Sequence, residues 1–317
     1  MLKLKYRTPA LPVELLDHIV THLLFDKPHF AAINALSRAS RLFREIAFRQ
    51  FFSALFVTTK DQWRNMCRIP RMTCWVRALE ATSKSLYARP SNLLDFPHLT
   101  SVSIDFDAEG LKMQKTSAKL ILAHMPAQLK RLELLHLPSI PVYLLSLICD
   151  ACPLLDALVL RCSDRLIAEC CWSCYGAAAD GTIHSPVPDY ICNVSDFVKS
   201  YGAALRPLTK LSYLHLGIFL SPQDLFTAHL EHIVVPTDVR EQPYGPDLCS
   251  LCEEHADEIR ETELAAAAAI AGFLPRLEAV TWSSWFARAE PGDDFRERST
   301  TAWVLREEQG VLVRRAP

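Results

Sequence analysis

Cys171-Trp-Ser-Cys174 and Cys249-Ser-Leu-Cys252 carry the spacing at which paired thiolates grip a metal ion. Together they could offer zinc a tetrahedral set of four sulfurs, with His255 as a competing nitrogen ligand. Such an ion would staple two irregular tracts of chain. Neither pair, however, sits in a zinc knuckle with a following glycine, and the two are far apart in the sequence. Free cysteines of a reducing compartment are usually small buried hydrophobes. The expectation is no metal; were zinc to bind, Cys249, Cys252 and His255 would be the better half-site. A thioredoxin-like use of Cys171 and Cys174 lacks the strand-to-helix start that positions the first thiol.

The other chemical patterns fail on single residues. Asp105, Asp107, Glu109 and Gly110 imitate the opening of a calcium loop, but the twelfth position is Thr116 rather than a bidentate glutamate. Solvated carboxylates after a strand explain them better. His18 and His22 are four apart, yet Ile19 stands where a zinc protease needs glutamate. His229 and His232 have no ligand partner nearby in sequence. No G-x-S-x-G occurs to activate a serine. The nine glycines include no G-x-G, so the Gly-rich dinucleotide and phosphate cradles are absent. No catalytic residue and no cofactor is expected.

Composition narrows the rest. The 317 residues are 50% hydrophobic, enough for a substantial core. Lys+Arg number 34 against Asp+Glu 36, so no long-range field draws the chain to nucleic acid or anionic lipid. Met1-Leu-Lys-Leu-Lys-Tyr-Arg has no apolar run behind its positive charges, and the alanine-rich stretch Leu264 to Leu274 is too short to span a bilayer. The reading expects cytoplasm or nucleus, with the eleven cysteines reduced.

Two kinds of element would position what remains. In the first fifty residues, Leu15, Leu16, Ile19, Val20, Leu23 and Leu24 recur at helical spacing after Pro12 and stop before Pro28. A short second helix is expected from Phe30 to Leu36. Ser37 or Ser40 could cap a third that turns Leu42, Phe43, Ile46, Ala47 and Phe51 inward. Residues 53–90 read as a linking segment packed against the larger C-terminal part of the chain.

Beyond residue 90 a different pattern repeats. Leu99-x-x-Val102-x-Ile104, Leu129-x-x-Leu132-x-Leu134 and Leu155-x-x-Leu158-x-Leu160 are followed by Leu211-x-x-Leu214-x-Leu216 and Leu277-x-x-Val280-x-Trp282. Ser117 to Met125, Val142 to Cys149, Ser195 to Leu205 and Asp224 to Ile233 suit amphipathic helices between them. Short strands alternating with helices at about 28 residues per unit predict an α/β chain with a curved, irregular leucine-rich-repeat-like solenoid over 91–317. An irregular α/β domain is the alternative. Excursions at 162–193 and 236–255 interrupt the array, and Ala256 to Ala271 reads as a helix whose acidic first turn holds Asp257 and Glu258. Thr301 to Arg306 and Val311 to Arg314 flank Gly310 as a terminal hairpin. Trp282, Trp285, Phe286 and Trp303 either cap the open end of the array or anchor a partner.

Leu11-Pro12-Val13-Glu14-Leu15-Leu16, then Ile19, Leu23 and Leu24, then Ala35-Leu36-Ser37-Arg38-Ala39-Ser40-Arg41-Leu42-Phe43-Arg44-Glu45, resembles an F-box over residues 9–52. The likeness is to the F-box proteins abundant in mushroom-forming fungi, in which a degenerate leucine-rich region follows. The resemblance implies a three-helix domain docking on a Skp-family adaptor, and through it on a cullin-RING ubiquitin ligase. Leu11, Pro12, Leu15, Ile19, Leu23, Leu36 and Phe43 would form or support that docking surface. The tryptophan that many F-boxes carry near Phe43 is missing here. The expected function is a non-catalytic substrate receptor whose repeat region holds an unknown target protein. A repeat scaffold that recruits no ligase is the other reading.

Overall fold

The computed structural model describes residues 12–26, 29–69, 71–162, 194–218, 220, 250–283, 299–307 and 310–315. It is a mixed α/β chain in which three helices precede a nine-stranded sheet. Helix α1 spans Val13–Asp26, and the Pro12 carbonyl accepts from the amides of Leu15 and Leu16 at 3.1 and 3.3 Å. Helix α2, Phe30–Ala39, runs past the expected end at Leu36. Ser37 is helical and donates its hydroxyl to the Asn34 carbonyl at 2.9 Å. Ser40 is the break: it is extended, and its hydroxyl accepts from the Phe43 amide to cap α3, Arg41–Phe51.

These helices own a separate small core of Leu16, Val20, Ile33, Ile46 and Ala47, with Leu24, Leu36, Phe43, Phe48 and Phe51 packed around it. Leu42 does not join it. It is 47% exposed, because Phe43, Ile46 and Ala47 already fill the inner face of α3. Arg49 clamps both carboxylate oxygens of Asp17 at 2.6 Å, and Gln50 donates to the same group at 3.3 Å, tying α3 to α1. Partial burial disfavours the Asp17 charge, but those hydrogen bonds and the Arg49 charge outweigh it and hold the carboxyl below its ordinary value. The clamp therefore stabilises the unit above the ordinary carboxylate range and fades as the pH falls through the lowered value.

The sheet is built in chain order, β1 to β9. Its strands are β1 (Ala54–Val57), β2 (Ala78–Thr82), β3 (Ser101–Asp105), β4 (Arg131–Leu137), β5 (Ala157–Cys162), β6 (Tyr213–Gly217), β7 (Ala279–Ser283), β8 (Ser299–Glu307) and β9 (Gly310–Arg315). All pairings through β7 are parallel; β8 and β9 close the edge as the expected antiparallel hairpin. Residues 53–90 are thus no mere link, since they supply the first two strands. Their signal was present but weak. Leu55, Leu79 and Val102 share a register at steps of 24 and 23 residues, and Ala81 stands where later units have Leu or Ile.

Two rows of side chains run the length of the parallel part. Leu55, Leu79, Val102, Leu132, Leu158, Leu214 and Val280 form one; Val57, Ala81, Ile104, Leu134, Leu160, Leu216 and Trp282 form the other. All are buried, as the two-residue strand period requires of one face. The first leucine of each expected motif closes the preceding turn. The amides of Leu99, Leu129, Leu155, Leu211 and Leu277 donate to carbonyls three residues back. A second spine runs beside it, in which the carbonyls of Ser53, Arg77, Thr100, Lys130, Asp156 and Ser212 each accept two amides from the start of the next strand at 2.8–3.1 Å.

Helices cover the buried rows. They include α4 (Lys60–Met66), α5 (Ser83–Tyr87), α6 (Leu111–Leu122), α7 (Val142–Ala151), α8 (Val194–Leu205) and α9 (Ser250–Ala271), with consecutive members in contact from α6 to α9. Helix α9 starts earlier than expected, so residues 250–255 are helical and Glu253, not Asp257, lies in its first turn. Nothing between Ser250 and Asp257 breaks a helix. The expected helix over 224–233 falls outside the described residues. No helix among the described residues is long and apolar enough to cross a membrane.

Gly217 is where two strands approach too closely for a side chain. A Cβ there would meet Arg161 Cα at 2.8 Å, Cys162 N at 2.9 Å and the Leu160 oxygen at 2.9 Å, all backbone of β5. Gly217→Ala should therefore lower stability by about 1–3 kcal/mol through forced strand separation. A urea titration reads this as an earlier midpoint at constant slope; an unmoved midpoint would contradict the close approach.

Candidate docking surface

Six of the apolar residues of α1, those that recur at helical spacing, form two adjacent stripes, and the fold treats them oppositely. Leu16 and Val20 are buried and Leu24 packs beside them, whereas Leu15, Ile19 and Leu23 are 49%, 43% and 39% exposed. Val13 and Phe25 are further exposed apolar residues of the same helix but lie off that stripe, and Phe30 and Leu42 add exposed apolar area on α2 and α3. Of the expected docking residues, Pro12, Leu15, Ile19 and Leu23 thus lie at the surface. Leu36 and Phe43 instead pack on the helical core and support it from within. Leu11 is outside the described residues. Val13, Phe25 and Phe30 were not among the expected docking residues, and Leu42, expected to turn inward, lies at the surface instead.

At the other end of the sheet the two tryptophans separate. Trp282 is fully buried, edge-on to Phe197 at 6.1 Å, so it is core and not a partner contact. Its position on β7 puts it in the covered row with Leu216. Trp303 pairs with Ala279 on the opposite face and is 48% exposed. Trp285 and Phe286 lie outside the described residues.

The carboxylates of the calcium-like stretch are engaged locally. Asp105 accepts from the Asp107 amide at 2.8 Å and lies 2.8 Å from His136 Nδ1. Glu109 is not solvated, as the sequence suggested. It is buried and accepts from the hydroxyls of Ser83 on α5 and Ser117 in the middle of α6 at 2.8 and 3.1 Å, linking the two helices. On the sheet's second face His215 is buried, and desolvation together with the Arg161 charge pushes its pKa down to about 4, leaving it neutral at pH 7.

No cluster of three or more His, Cys, Asp or Glu that could hold a metal occurs among the described residues. Cys171, Cys174, Cys249, His229 and His232 lie outside them; Cys252 is on α9, and His255 sits 3.4 Å from Glu258 on the same helix. A further C-x-x-C pair, Cys149 and Cys152 at the end of α7, escaped the sequence reading. Both are buried, and burial pushes each thiol up to about 12, helped by Asp150 at Cys149 and by Cys149 at Cys152. At neutral pH neither is a nucleophile or a ready metal ligand. Exposed Cys74 should accordingly be alkylated by iodoacetamide in the native state, and Cys149 and Cys152 only after denaturant is added. Peptide mass mapping reads the order; rapid native labelling of Cys149 would overturn it.

The chain matches no family model, and no curated protein matches it.

Proposed function

We propose that this chain is the substrate-recognition subunit of a Skp-cullin-F-box ubiquitin ligase. The observation that carries the reading is the exposed Leu15-Ile19-Leu23 stripe on a helical unit with its own core. An apolar row of this kind, held on a rigid helix, suits a helical partner that completes its burial. The sequential parallel sheet, its in-register leucine rows and the double-accepting carbonyl spine support a leucine-rich-repeat-like array behind it. Such a receptor needs no chemistry of its own. It raises the local concentration of a target lysine near a ubiquitin-charged enzyme brought by the complex.

Co-purification with a Skp-family adaptor tests this. The full chain should retain the adaptor, and the chain lacking residues 1–52 should not, while circular dichroism shows its sheet intact. The sheet's own continuous core, which begins at Leu55, makes that truncation reasonable. Retention after truncation would refute the F-box assignment. A full chain that binds no adaptor would leave the scaffold reading.

A further inference from the structure

Where the three-helix unit meets the first turn of the sheet lies a groove of about 440 Å³ walled by Arg38, Arg41, Arg44 and Arg71 and floored by Trp75. We propose that this groove binds a phosphorylated group, carried either by a phosphoserine side chain or by a small free polyphosphate. The inference does not rest on the ligase reading.

Charge is the first argument. Four arginines and a single carboxylate, Glu45, line it, so the lining carries a formal excess of three positive charges in a chain whose net charge is −2. Glu45 lies 3.0 Å from Arg71 and 3.7 Å from Arg41, which leaves most donors of both guanidiniums for other acceptors. Arg44 spends its Nε on the Ser37 carbonyl at 3.0 Å, which fixes the course of the side chain and leaves its two terminal nitrogens for a ligand. A carboxylate would bring one charge and two oxygens. A phosphoryl dianion brings two charges and three oxygens, the better match to several forked donors.

Preorganisation is the second argument. Arg71 holds a left-handed backbone, φ 66°, that a bulky residue rarely adopts. Its guanidinium lies 5.9 Å from the centre of the Trp75 ring, and Trp75 in turn stacks on Phe52 at 6.1 Å and meets Phe48 edge-on at 5.9 Å. The floor is thus rigid and aromatic, and the strained arginine is aimed along it. The groove draws its cations from two parts of the fold, α2–α3 and the turn after α4, so an anion would bind both at once. Its size admits one or two phosphoryl groups, whereas a nucleic acid would need a continuous basic track.

The test uses the full chain at about 50 mM salt, where surface electrostatics are weakly screened. Tryptophan fluorescence, with Trp75→Phe to assign the signal, follows titration with pyrophosphate and with a neutral-sequence phosphoserine peptide and its unphosphorylated twin. Saturable binding of a phosphorylated probe with Kd below about 1 mM is expected, and none of the unphosphorylated peptide. Preference for the peptide would identify a phosphoprotein source and preference for pyrophosphate a free one. Arg38→Gln with Arg41→Gln, both exposed, should weaken binding at least about tenfold with an unchanged circular dichroism spectrum. Arg71→Gly separates ligand binding from a structural role. Glycine accepts the left-handed backbone, so the melting temperature should hold or rise while affinity falls about tenfold or more. Absence of saturable binding to either phosphorylated probe, or binding indifferent to the arginine replacements, overturns the proposal. A lower melting temperature with full affinity in Arg71→Gly would do the same, reducing Arg71 to a strut.

Discussion

Ile19→Asp is expected to lower affinity for a Skp-family adaptor by at least about 100-fold while the chain stays folded. Ile19 is 43% exposed, so the new carboxylate reaches water in the free protein. The intrinsic helix penalty is then the main effect on stability, no more than about 0.7 kcal/mol. Docking reverses that comfort. A covering partner would strip water from a charge with no counter-ion, at a cost of several kcal/mol. Val20→Asp is the matching control, because Val20 is fully buried in the helical core and the same carboxylate there should unfold the unit. Calorimetric titration with the adaptor and far-ultraviolet circular dichroism on both variants read the two effects. Undiminished affinity in folded Ile19→Asp would show that the adaptor uses another face.

Trp282→Ala should be the most destabilising single replacement in the sheet, at about 3–5 kcal/mol. The side chain is fully buried in the row that ends with it, and its removal leaves a large cavity against Phe197. Among the described residues no acceptor reaches the indole nitrogen, which is buried and unbonded. Trp282→Phe should therefore cost clearly less than its lost volume suggests, because a desolvated donor leaves with the ring. Adaptor affinity of the folded fraction should not move in either variant, since the helical unit has its own core. Chemical denaturation separates the two replacements. A variant that lost partner affinity at full stability would return Trp282 to the role of contact residue.

Much of the architecture was legible because its signals are local. Pro12 and the serine break at 40 delimit helices through local backbone constraints. The five leucine motifs after residue 90 each became a strand of the sheet, because the first leucine closes a turn and the next two face one side at period two. The first two strands escaped because Ala81 blurred the motif and the repeat step was shorter there.

The candidate surfaces were legible only in outline. Leu15 and Leu16 are the same residue type one position apart, and periodicity alone assigns both, with Ile19, Val20, Leu23 and Leu24, to one broad face. Which stripe is covered depends on where α2 and α3 lie, and they lie over Leu16, Val20 and Leu24. Trp282 and Trp303 likewise share a residue type, and only strand register puts one in the core and the other at the surface. The arginine groove joins residue 71 to residues 38, 41 and 44 across a gap that no sequence window spans. Element identity was therefore written in spacing and breakers, which act within a few residues. Exposure and charge clustering were decided by packing between elements, because burial is a property of the neighbours that arrive and not of the side chain that waits for them.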